Sequence, residues 1–111
     1  MSAPSSDSAG IRQAIRAVRA AGWDLNCVND GEDRTFVQTE HDALNLITDL
    51  DDAWLHVRRP RSPEEGPFEK GWGFETAWIR FVLGNSPDEV ICDYTTNLDP
   101  TLSDLMEGWW N

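Results

Sequence analysis

From Phe74 to Leu83 apolar and polar residues alternate almost without a break. Ala77, Ile79, Phe81 and Leu83 face one way, and Thr76, Trp78, Arg80 and Val82 face the other. A period of two puts neighbours on opposite faces of a strand and would scatter the same residues around a helix, so this segment is a strand with one face set for a core. Gly84-Asn85-Ser86-Pro87-Asp88 follows as a turn, and residues 89–95 return antiparallel. Residues 53–59 repeat the pattern, with Ala53, Leu55 and Val57 on one face and Trp54, His56 and Arg58 on the other. Pro60, Pro63, Pro67, Gly66, Gly71 and Gly73 crowd residues 60–73, a composition that cannot continue a ladder and predicts a long exposed loop.

Three stretches carry the other period. Ile11, Ala14, Ile15 and Val18 recur at three-and-four spacing, with Asp7 or Ser8 as the cap and Gly22 as the stop. Thr39 and Asp42 stand as in a capping box before Ala43, Leu44, Ile47 and Leu50. Asp99 followed by Pro100 starts a last helix with Leu102, Leu105, Met106 and Trp109 on its stripe. Residues 23–27 alternate again, and Asn29-Asp30-Gly31 turns them into a short hairpin with residues 35–37. The order α-β-β-α-β-β-β-α predicts an α+β fold, an antiparallel sheet of four to five strands with three helices mainly on one face. At 111 residues this is one domain, residues 1–7 forming a frayed start.

The longest apolar runs are far too short to span a bilayer, and the first residues lack the basic and apolar regions of a secretory signal. A cytoplasmic protein is expected, with Cys27 and Cys92 reduced. The formal net charge is −11, and residues 40–52 and 88–111 are acidic without a single Lys or Arg. Such a chain repels nucleic acid and anionic membranes and attracts basic surfaces.

No spacing marks a catalytic or metal site. His41 and His56 lack the partners of a zinc or Cys-His arrangement, although Cys27 or Cys92 can reach His56 across a sheet. The carboxylates around Asn29–Asp33 and Asp49–Asp52 do not match a calcium loop and read as turn and cap chemistry. No cofactor and no metal is expected. Trp109 and Trp110 point about 100° apart on a helix, so both cannot enter one core stripe.

The leading expectation is a small acidic interaction protein that docks a basic protein surface, a nucleic-acid-mimicking inhibitor being one form of it. Its contact residues would be Asp49, Asp51, Asp52, Asp104, Glu107, Trp109 and Trp110. One alternative is a small-molecule-binding domain or enzyme with a pocket between sheet and helices, anchored by His56 and Arg80. The other is a homodimer held by exposed tryptophans.

Overall fold

A computed structural model describes residues 3–60 and 74–110. Five strands, β1 (Asp24–Asn29), β2 (Arg34–Phe36), β3 (Asp52–Pro60), β4 (Phe74–Val82) and β5 (Ile91–Tyr94), form one antiparallel sheet in the order β2-β1-β3-β4-β5. Three helices, α1 (Asp7–Ala20), α2 (Glu40–Leu50) and α3 (Asp99–Trp110), cover one face. The expected element order and fold class are those observed. The expected long loop lies outside the described residues except for Pro60, which the structure instead places at the end of β3 as the register partner of Phe74.

The period-two pattern sets which face is dry. Ala53, Leu55 and Val57 of β3 and Ala77, Ile79 and Phe81 of β4 are buried beneath the helices, where they meet Ile11, Ile15, Val18, Leu44, Ile47, Leu102 and Leu105. Trp54, His56, Trp78 and Arg80 stand half-buried on the opposite face. At the end of β3, Arg59 stays on the helix side, its guanidinium 4.5 Å from the centroid of buried Trp23. Glu75 accepts two N–H bonds from that guanidinium, at 2.9 and 3.1 Å, and so closes the rim of the core.

Helix ends follow capping rules, with two departures from expectation. Gly22, at φ 97°, lets Trp23 N–H reach Val18 C=O and Gly22 N–H reach Arg19 C=O, each 3.0 Å, which stops α1 as the sequence predicts. Thr39 Oγ1 likewise accepts the Asp42 N–H at 3.1 Å. The cap of α1 is Ser6 rather than Asp7 or Ser8, because the Asp7 carboxylate turns away to accept Gly84 N–H at 3.2 Å. With Ser6 capping and Pro4 buried, ordered structure begins inside the stretch expected to fray. Asp99 is already helical, preceded by a 3-10 turn at Thr96–Leu98, and its carboxylate accepts the Tyr94 hydroxyl at 3.1 Å instead of capping.

Candidate functional site

The carboxylates singled out in the sequence do not converge. α1 packs against both α2 and α3 and lies between them, so Asp49 on α2 is parted from Asp104 and Glu107 on α3. Arg12 and Arg16 of α1 meet Glu40 of α2, Arg16 Nε at 2.8 Å from Oε1, which interrupts the acidic surface with cations. Asp51 is the left-handed C-cap of α2, at φ 65°. Asp52 is engaged by Arg80 in two bonds of 2.9 and 3.1 Å, which hold its carboxyl below the usual carboxylate range. The tryptophans separate too. Trp109 is buried and donates to Gln13 Oε1 at 2.9 Å, whereas Trp110 is 61% exposed and donates to the Asp88 carbonyl at 3.3 Å.

His56 and Arg80 lie on the face of the sheet turned away from the helices, so a pocket between sheet and helices would not use them. A recess of about 370 Å³ does open on their side, lined by Asn29, Gly31, Trp54, His56 and Trp78. Cys27 is the direct cross-strand neighbour of His56. Burial pushes the thiol up, opposed by Arg34, while burial and then the Arg34 charge push the imidazole down. Both shifts favour neutral groups, the opposite of the thiolate–imidazolium pair that a nucleophilic cysteine needs. Cys92 is exposed on β5, three strand spacings or about 14 Å from β1, too far to bond with Cys27. Among the described residues no group of three or more His, Cys, Asp or Glu is placed to hold a metal ion. No described helix is long and apolar enough to cross a membrane.

The larger concavity is one that the sequence reading did not single out. A groove of about 620 Å³ runs between β2 and α2, its walls including Thr35 and Phe36 on one side and Asp42, Asn45, Leu46 and Asp49 on the other. Residues 42, 45, 46 and 49 follow helical spacing and share one face of α2. Among the described residues the edge above them is unpaired. Val37 N–H donates to Asn26 C=O at 3.0 Å and Asp30 N–H to Asp33 C=O at 3.1 Å. In an antiparallel ladder bonded pairs alternate with non-bonded ones, which makes Cys27–Phe36 and Asn29–Arg34 the non-bonded pairs. The backbone N–H and C=O of Arg34 and Phe36 therefore point outward from the sheet, and both residues are exposed.

Comparison of the chain with protein-family models, with curated proteins and with solved structures found no match in any of the three. What the site offers is thus read from its own chemistry.

Proposed function

We propose that this protein is a small interaction domain that takes an extended, basic segment of a partner protein as a sixth strand along β2. The observation that carries this reading is the groove beside an unpaired edge. Two residues of β2 aim backbone donors and acceptors outward, and strand addition uses such groups for affinity. Alternate side chains of an added strand descend toward α2, where Leu46 offers an apolar floor and Asp42 and Asp49 offer charge. These two carboxylates are two helical turns apart, about 10 Å. Groove-side residues of a strand repeat about every 7 Å, and flexible Lys or Arg side chains absorb the difference.

The net charge of −11 favours the same class of partner at long range, because it raises the encounter rate with a cationic surface. Nucleic-acid mimicry draws less support, since Arg12, Arg16 and Arg19 stand on the helix between the two acidic ones.

The test is selection of peptides from a random display library, followed by affinity and amide-exchange measurements on the winners. Enriched peptides should be extended and carry Lys or Arg at alternate positions. Asp42→Asn with Asp49→Asn should weaken them about tenfold to a hundredfold, 1.4 kcal/mol for each factor of ten. Binding should newly protect the Arg34 and Phe36 amides, which donate no hydrogen bond among the described residues. Peptides that are acidic or purely apolar, or that bind without protecting those two amides, would refute the reading.

A further inference from the structure

The face of the sheet turned away from the helices carries a different composition from the rest of this acidic protein. Reading across the strands, one row is Arg34, Asn29, Trp54, Arg80 and Asp93, and the next is Phe36, Cys27, His56 and Trp78. Asp52 and Val82 lie outside the first row, and Arg58 and Thr76 outside the second. Phe36 is 77% exposed and Phe74 49%. Tryptophan, phenylalanine and arginine, gathered here on one face, are among the residues that dominate the energetics of protein interfaces.

We infer that this face seats a second copy of the same chain, so that two sheets close into a sandwich. The pattern is self-complementary about one particular axis. A two-fold axis lying across the strands between the two rows exchanges residues 54 and 56 of β3 and residues 78 and 80 of β4. It sets Trp54 against His56 of the second copy and Arg80 against Trp78, and Arg34 meets Phe36. Each of these pairs is an aromatic contact or a cation over a ring. The same axis exchanges residues 52 and 58, which brings Arg58 onto Asp52 of the second copy.

Among the described residues Arg58 is in no ion pair, while Asp52 already holds Arg80 and its carboxylate has capacity for a second cation. The alternative axis, along β3, stacks Arg58 on Arg58 and is disfavoured. Either arrangement keeps the strands of the two sheets within the roughly 30° found in aligned sandwiches.

The area is sufficient. Five strands at about 4.8 Å spacing and an average of about six residues each give a footprint of about 500 Å² per copy, or about 1,000 Å² in total. That sits at the lower bound for a specific interface and predicts a dimer that assembles at micromolar concentration. The groove beside β2 shares Phe36 with this face, but its α2 wall of Asp42, Asn45, Leu46 and Asp49 is on the helix side, away from a copy seated here.

Sedimentation equilibrium of the full chain, from about 5 μM to 1 mM, tests the inference over the range a modest interface spans. The mass should rise from monomer to dimer. Arg58→Asp should weaken association about a hundredfold, tenfold for each of two symmetric contacts, and Trp78→Ala should weaken it by a similar factor. Far-UV circular dichroism checks that both variants fold. Combining Arg58→Asp with Asp52→Arg should restore part of the loss, because the opposed charges are exchanged rather than removed. A chain that stays monomeric to 1 mM, or a dimer indifferent to both Arg58→Asp and Trp78→Ala, overturns the inference. Neither result decides the peptide groove, whose own test substitutes Asp42 and Asp49 rather than Arg58, Asp52 or Trp78.

Discussion

Gly10 sits in the first turns of α1, where replacing glycine by alanine ordinarily stabilises a helix by about 1 kcal/mol. Here the sign should reverse. A Cβ at position 10 would lie 2.8 Å from Val90 Cγ1, 3.2 Å from the Pro87 carbonyl oxygen and 3.3 Å from Pro4 Cγ. Carbon atoms rest at about 3.5–4.0 Å, so the closest contact is about 1 Å too short and the helix must lift from the turn at 87–90. Overpacking of this kind costs about 1–3 kcal/mol. Subtracting the propensity gain leaves Gly10→Ala less stable by about 1 kcal/mol, with an upper end near 2 kcal/mol. Urea denaturation is the assay, and the midpoint should fall while the slope stays constant. The mechanism is checked by repeating the substitution in a Val90→Ala background, where the closest atom has been removed. The penalty there should shrink by about 1 kcal/mol, since contacting residues couple. A midpoint that rises in the wild-type background would refute the close approach of α1 to this turn.

Other outcomes follow from the same structure. Phe81→Ala should cost about 3–5 kcal/mol in a denaturation experiment, because the ring is wholly buried between β4 and the helices. Trp109→Ala should cost a similar amount and Trp110→Ala no more than about 0.5 kcal/mol, so two adjacent tryptophans separate cleanly in thermal melts. The folded-state pKa of His56 is held below its usual 6.5 by burial first and by Arg34 second. The unfolded chain therefore binds the proton more readily, and stability present above 6.5 is lost as pH falls through that value toward the folded pKa. Urea midpoints between pH 5 and 8 should show this slope in the wild type and a flatter one in His56→Gln.

Much of this architecture was legible because it is local. The stripe of Ile11, Ala14, Ile15 and Val18 and the alternation of Ala77, Ile79 and Phe81 each state their own buried face, and all seven of these residues are buried. Long-range pairing was not legible. Nothing near Asp52 announces that Arg80 will hold it, and nothing near Asp99 announces the Tyr94 hydroxyl. The scatter of the five expected carboxylates arises the same way, since only packing shows that α1 intervenes between α2 and α3. The groove did leave a trace. Leu46 is an apolar residue off the stripe of Ala43, Leu44 and Ile47, between Asp42 and Asp49 on a helix otherwise explained.

The two described ends of the chain converge on one short segment. Pro4 and the first turns of α1 approach Pro87 and Val90, and Trp110 at the far end of α3 reaches the Asp88 carbonyl. Pro60 and Phe74, which flank the undescribed segment, are register partners in the sheet. The path through the described residues is thus close to a ring. A short linker joining residue 110 to residue 4 would allow the chain to be opened at residues 61–73, giving a permuted chain that starts on β4 and ends on β3. Such a chain keeps every strand pairing while turning the β3–β4 hairpin, now local, into a contact between its two extremities.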